Sequence, residues 1–359
     1  MTQKILLTGG GSAGHITVNM ALIPMLLETG WEIIYMGSFD GIERELISNT
    51  PLVTYFAIST GKLRRYFDIQ NFIDIFRIIK GIFQAYCTIR QEKPDLVFSK
   101  GGFVSVPVVI GSRLNSIPVI THESDLTPGL ANRINMYFAQ KICTTFADTL
   151  NYLPQNKGKH IGAIVRPELK QGNPERGRVI CQFDSNNPVI LVTGGSLGSQ
   201  YINQTIRFLL DSLLENFQII HICGKGNLDS SIERSGYKQF VYVSDELPDL
   251  MALCDLAISR AGSNFIFEFL ALKKPMILVP LSKKASRGDQ IENAKIFQNK
   301  GWAKVILEEN LTKEILLHSI IDVYKNTEKY KSEMNDYNSD RSLLTLFDLL
   351  SQSTASVHS

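Results

Sequence analysis

Residues Ile5–His15 read ILLTGGGSAGH, and residues Ile190–Gln200 read ILVTGGSLGSQ. Each begins as an aliphatic run suited to a buried strand, breaks at Thr-Gly-Gly, passes through a Ser and Gly turn and enters an apolar helical pattern. Glycine lets the backbone approach a ligand closely, and the free N–H groups at the start of a helix suit an anion. The two copies lie about half a chain apart, which predicts two similar α/β domains in tandem. Further strands are expected at 32–37, 95–99, 118–121 and 141–145, and then at 218–223, 239–243, 255–259, 276–280 and 303–306. Helical patterns fill most gaps, so each half reads as a doubly wound parallel sheet. The Pro-, Gly- and charge-rich stretch 160–188 is the expected join. Strand ends and glycine turns would face a common ligand site across a cleft.

The chain has 359 residues, of which 44% are hydrophobic and 20% charged, with a formal net charge of +2. That length suits about two globular domains, and so small a charge argues against a generally nucleic-acid-binding surface. Cys87, Cys143, Cys181, Cys223 and Cys254 are scattered with no C-x-x-C, which suggests reduced thiols in a cytoplasm and not a disulfide framework or zinc site. The N-terminus enters a strand without a signal-peptide layout. No stretch of about 18 uncharged apolar residues suggests a transmembrane span.

Gly9, Gly11 and Gly14 fit G-x-G-x-x-G, which raises a nicotinamide cofactor as one reading. That site also needs an acid at the end of the second strand for the ribose hydroxyls. Here the strand ends Met36-Gly37-Ser38, with Asp40 a little late and Glu43 later still. The second turn fails the fingerprint, and its following strand, FQIIHICGKG, also ends without an acid.

Other stretches carry more. In SRAGSNFIFEFLALKKPMILVP (Ser259–Pro280) a strand ends and Gly262-Ser263 open a helix, with Ser263 as the expected N-cap. Such a helix start can face a diphosphate, and Glu268, among apolar neighbours, can accept both hydroxyls of a ribose. SRGDQIENA (Ser286–Ala294) places Asp289, Gln290 and Asn293 at a helix start, where they suit sugar hydroxyls or, for Asp289, plain capping. FSKGGFVSVP (Phe98–Pro107) offers another close-approach loop. THESDLTPG (Thr121–Gly129) puts His122, Glu123, Ser124 and Asp125 at a strand end. There is no D-x-D and no His/Cys cluster at metal spacing, so a departing diphosphate would rely on helix dipoles and Arg or Lys.

Taken in order, TGGGSAGH, KGGFVSVP, HESDLTPG, TGGSLGS, SRAGSNFIFE and GDQIENA resemble the MurG family over nearly the whole chain. These are inverting glycosyltransferases that move N-acetylglucosamine (GlcNAc) from UDP-GlcNAc to lipid-linked N-acetylmuramyl-pentapeptide, without a protein-bound cofactor or metal. The resemblance implies the α/β GT-B architecture, two facing Rossmann-like domains. Residues 1–163 would bind the acceptor and associate with the membrane, 164–340 would bind UDP-GlcNAc, and 341–359 would return to the first domain. By position, Glu268 would hold the ribose, Ser196 the phosphates, and Arg166 would lie beside the nucleotide. The backbone near Ser244 would face uracil with Leu247 capping it, and Asp289 and Gln290 would hold the GlcNAc ring. The first turn (Gly11, Ser12, Gly14, with His15) and Gly102 would face the acceptor and its diphosphate. Asp125 falls at the family's asparagine position near the sugar. Ala13, Val18, Ser124-Asp125 and Leu197 depart from the commoner residues.

A lipid-linked acceptor implies contact with the anionic inner membrane surface, on the cytoplasmic face of the cell membrane. Gly61–Tyr86 suits it, with a wide apolar stripe including Phe76, Ile79 and Phe83, preceded by Lys62, Arg64 and Arg65. The competing reading is a core-facing helix. Inversion in one step needs a base near the C4 hydroxyl of the acceptor sugar. His15 is the candidate because imidazole titrates near neutrality, with His122 and Asp125 as alternatives. The rival functions are a GT-B enzyme with a soluble acceptor or a UDP-GlcNAc epimerase, a non-catalytic nucleotide-sugar scaffold, and the nicotinamide oxidoreductase.

Overall fold

A computed structural model describes residues 3–48, 50–61, 69–195 and 197–358, with the side chains of 13, 69–73 and 355–358 left undescribed. The chain forms two units, Met1–Ile164 with Ser339–Ser359, and Val165–Asn338.

In the first unit the strands are β1 (Lys4–Thr8), β2 (Glu32–Ser38), β3 (Val53–Ile58), β4 (Leu96–Ser99), β5 (Val119–Glu123), β6 (Lys141–Thr144) and β7 (Gly158–His160). The helices are α1 (Thr17–Glu28), α2 (Ile42–Ser48), α3 (Ile69–Glu92), α4 (Ser105–Leu114) and α5 (Leu130–Phe138). The sheet order is β3-β2-β1-β4-β5-β6-β7 and every pairing is parallel. Apolar side chains cover both faces: Ile5, Leu7, Ile33 and Phe98 enter one core, and Leu6, Ile34 and Val97 the other. That two-sided burial is why these strands read as continuous apolar runs.

The second unit contains α6 (Pro174–Cys181), β8 (Val189–Thr193), α7 (Gln200–Leu214), β9 (Gln218–Ile222), β10 (Tyr237–Phe240), α8 (Leu247–Leu253), β11 (Leu256–Ser259), α9 (Ser263–Ala271), β12 (Met276–Leu278), α10 (Asp289–Asn299), β13 (Ala303–Val305), α11 (Lys313–Lys325) and α12 (Thr327–Glu333). Its order, β10-β9-β8-β11-β12-β13, repeats the first unit's pattern, again all parallel. The last helix, α13 (Ser342–His358), belongs to the first unit and sends Leu346, Leu349 and Leu350 into its core.

In both units the first strand lies beside the fourth, and there the order reverses. Open α/β sheets bind ligands outside the strand C-termini at this point. The two glycine turns follow β1 and β8. The loops they face, Lys100-Gly101-Gly102 and Arg260-Ala261-Gly262, follow β4 and β11.

Candidate functional site

The second unit's glycines divide into two kinds. A side chain at Gly198 would meet the Cys223 carbonyl oxygen at 1.9 Å, and one at Gly224 would meet the Gly198 backbone at 2.3 Å. Those two serve close packing of the loops after β8 and β9. At Gly195 (φ +87°) and Gly262, by contrast, a side chain would meet nothing within 4 Å. Open space lies where each Cβ would stand, at the turn after β8 and at the start of α9. Gly262, not Ser263, is the N-cap, and no side chain caps the helix. The sequence expectation for Ser263 is corrected by one residue: it is the first helical residue and is 7% exposed. The Ser196 position lies outside the described residues.

Glu268 sits in the same helix and is 2% exposed. Arg166, 102 positions earlier, donates to it twice, from Nε to Oε1 at 2.8 Å and from Nη2 to Oε2 at 3.0 Å. Burial pushes the Glu268 carboxyl above its usual range, against the pull of Arg166. Each carboxylate oxygen accepts one guanidinium bond and keeps a second acceptor position. The structure thus joins two residues that the sequence reading had placed near one nucleotide without linking them.

The neighbouring loops are pinned from α10. Gln290 Oε1 accepts from the Leu281 N–H at 3.0 Å, and Asn293 Nδ2 donates to the Ala261 carbonyl at 3.2 Å. The Gln290 amide nitrogen is left for a further acceptor. Asp289 is the first residue of α10 behind the N-cap Gly288, and pairs with Arg287 at 3.4 Å. Ser244 is exposed, and its carbonyl accepts from Leu247 N–H at 3.2 Å. Leu247 itself is 2% exposed.

Sequence reasoning passed over Arg260. Its guanidinium donates to the Val279 carbonyl, to Ser199 Oγ at 2.7 Å, and to Glu308. Ser199 in turn caps α7 through the Ile202 N–H. This buried clamp fixes the helix behind the second glycine turn.

The first unit's turn is built differently. Tyr35 Oη donates to the Gly9 carbonyl at 2.6 Å. Glu43, at 0% exposure, accepts from Gly11 N–H at 3.2 Å, from Ser38 N–H at 3.1 Å and from the Ser38 hydroxyl. A side chain at Gly11 (φ +82°) would strike the Phe103 ring at 2.3 Å. Gly11 therefore does not present its N–H to a diphosphate, because the buried carboxylate needs that donor. The same contacts answer the nicotinamide reading, since Glu43 spends itself on the turn and not on a ribose. Ser12 is exposed, and Gly14 belongs to the short 3-10 turn Ala13–His15. Half-buried His15 lies against Gly102 (φ +79°), where a Cβ would come within 3.0 Å of its Cδ2.

The alternative base His122 is 1% exposed, and burial together with Lys100 holds its pKa well below the usual imidazole range. It lies inside the sheet, out of reach of a substrate, and is set aside. Asp125 is half-buried in the loop after β5, where its N–H donates to Glu123 Oε1 at 2.9 Å. Glu123 also accepts from Gly129 N–H and Asn132 Nδ2, so it organises that loop.

On α3, Phe76, Ile79 and Phe83 are 72%, 58% and 67% exposed, with exposed Arg77 and Lys80 beside them. The helix buries its other side through Gly81, Ala85 and Ile89. The core-facing reading of those three side chains is overturned. Lys62, Arg64 and Arg65 lie outside the described residues. Among the described residues no helix is long and apolar enough to cross a membrane.

Known proteins agree with this layout. Residues 5–144 match the glycosyltransferase family 28 N-terminal domain, and residues 189–346 match the family 28 C-terminal domain. A Geobacillus thermodenitrificans protein is 57% identical over 99% of this chain and 100% of its own length. It is named UDP-N-acetylglucosamine–N-acetylmuramyl-(pentapeptide) pyrophosphoryl-undecaprenol N-acetylglucosamine transferase. The chain belongs to this transferase family, the MurG family. A crystal structure of Acinetobacter baumannii MurG superposes with a TM-score of 0.74 at 21% identity, covering 98% of this chain and 99% of that one. UDP-GlcNAc 2-epimerase from Neisseria meningitidis superposes at 0.68 with 15% identity, covering 98% and 100%. Both likenesses speak for the fold alone, which is GT-B. The MurG family is separated from the epimerases by the sequence match, not by the fold.

Proposed function

We propose a division of labour in which the second unit holds UDP-GlcNAc and the first holds the lipid-linked acceptor. The chain is a UDP-GlcNAc-dependent hexosyltransferase that carries GlcNAc to muramyl-pentapeptide pyrophosphoryl-undecaprenol, converting lipid I to lipid II. The observation that carries the donor assignment is the buried Arg166–Glu268 pair beside the uncapped start of α9. Ribose hydroxyls donate to the two remaining acceptor positions of Glu268. The diphosphate takes the N–H groups at Gly262 and at the open turn around Gly195, where helix dipoles favour its charge. Gln290, with its amide nitrogen to spare, and Asp289 hold the GlcNAc ring.

His15 is the base that removes the proton from the C4 hydroxyl of the acceptor sugar. GlcNAc is then displaced from UDP in a single inverting step, and the departing UDP keeps its electron pair against the same N–H groups. A one-step displacement needs both substrates bound together. Asp125, at the rim of the same unit, stands near the acceptor without serving as the base. The exposed stripe Phe76-Ile79-Phe83, with Arg77 and Lys80, rests on an anionic lipid surface at the cytoplasmic face of the membrane. UDP release in the presence and absence of lipid-linked muramyl-pentapeptide tests the reading. Release that ignores the lipid would favour a soluble acceptor, and donor binding without turnover would favour a scaffold.

A further inference from the structure

The two units carry a cation at the same place. Lys100 is the first residue after β4 and Arg260 the first after β11, the fourth strand of each sheet. Both are buried, at 1% and 9% exposure. Their surroundings differ. Arg260 is neutralised by Glu308 and also donates to a hydroxyl and to backbone carbonyls, so it is consumed by the structure. Among the described residues the Lys100 ammonium donates to Ser124 Oγ alone. It has three N–H donors, and burying a charge with so few partners is costly.

The position of Lys100 gives that cost a purpose. Its backbone N–H donates to the Thr8 carbonyl at 2.8 Å, and a Cβ at Gly9 would stand 3.0 Å from its own Cβ. Lys100 is therefore packed under the first glycine turn, while its head reaches the loop after β5. Ser124, half-buried, receives that head. An ammonium can only donate. The Ser124 oxygen must accept from it, and the Ser124 proton is then directed to some other acceptor.

We propose that Lys100 is a positioning residue for the acceptor substrate, acting through Ser124, whose hydroxyl it obliges to donate to an acceptor oxygen. This rests on the reading that the first unit takes the lipid-linked acceptor. If Lys100 loses its proton it can accept from Ser124, and the bond reverses. Burial lowers the Lys100 pKa to about 8, against the pull of Glu123 and Asp125. Among the described residues, His122, neutral and buried in β5, also faces it, and the His15 backbone lies on the other side of Gly9. The switch therefore lies on the alkaline side.

The test uses full-length protein with UDP-GlcNAc and lipid-linked muramyl-pentapeptide in mixed micelles. Lys100→Met and Ser124→Ala should each lower kcat/KM for the acceptor by about tenfold or more, with UDP-GlcNAc affinity unchanged. The double variant should lose no more than Lys100→Met alone. Wild-type kcat/KM should fall above about pH 8, and both single variants should lack that fall. If Lys100→Met does not fold, Ser124→Ala carries the test alone. Unchanged acceptor kinetics in Ser124→Ala, additive losses, or an alkaline fall that persists in both variants overturns the proposal. A wild-type enzyme without lipid dependence would instead overturn the acceptor reading on which it rests.

Discussion

At the scale of single residues, the donor site turns on Glu268. Glu268→Gln keeps the shape and removes the charge, and it should weaken UDP-GlcNAc binding by about ten- to a hundredfold, from the loss of charge-assisted hydrogen bonds. Isothermal titration against the wild type measures this, and an unchanged affinity would remove Glu268 from the ribose. Because burial raises its pKa, the carboxylate takes up its proton at a higher pH than an ordinary glutamate. Donor affinity should therefore decline on acidification before pH falls to the usual glutamate value of 4.5. His15→Asn should lower kcat by about 10²- to 10⁴-fold with the donor affinity retained. Lys100 makes a separate prediction about stability. Its pKa is about 8 folded against 10.5 unfolded, so between those values the unfolded chain binds more protons and the wild type gains stability as pH rises. Lys100→Met, which buries no charge, should melt higher than wild type at pH 7, and the difference should shrink by pH 10. Thermal melts at the two pH values check the sign.

At the scale of elements, the sequence and the structure agree where a pattern is long and two-sided. The aliphatic strands flanking the glycine turns were legible because both faces of each sheet are covered. β3 (VTYFAI) was missed: it lies at the sheet edge, most of its side chains are only half-buried, and Thr54 interrupts the apolar residues early. β7 (GKH) was missed because its three residues are exposed and bear no apolar side chain. The Arg166–Glu268 pair was invisible as a pair because the partners are far apart in the chain. Lys100 and Arg260 were legible in principle, because KGG and RAG stand at matching places in the internal repeat. The stripe on α3 could be resolved only by seeing which side of the helix packs on the sheet. With Phe76 and Ile79 exposed, replacing both by Ser should leave the melting temperature nearly unchanged. Binding to vesicles of anionic phospholipid should fall by about tenfold or more, given the apolar area withdrawn from lipid. Co-sedimentation measures it; loss of folding would mean that the stripe is core after all.

At the scale of the whole molecule, one strand order has been used twice with different fittings. The second unit leaves Gly195 and Gly262 open and its helix start uncapped, which suits a diphosphate. In the first unit Glu43 occupies the N–H of Gly11, and Lys100 stands beneath the turn. A shared fold therefore does not imply a shared ligand, and the opening G-x-G-x-x-G, alone, would have misassigned the protein to nicotinamide chemistry. The chain should release UDP only when it can deliver GlcNAc to a lipid-linked acceptor. The most direct test is UDP release from the purified full-length protein given UDP-GlcNAc, with and without lipid-linked muramyl-pentapeptide. Release that depends on the lipid acceptor, with a GlcNAc-bearing lipid as the second product, is the predicted result. Equal release in its absence, or none in its presence, would contradict it.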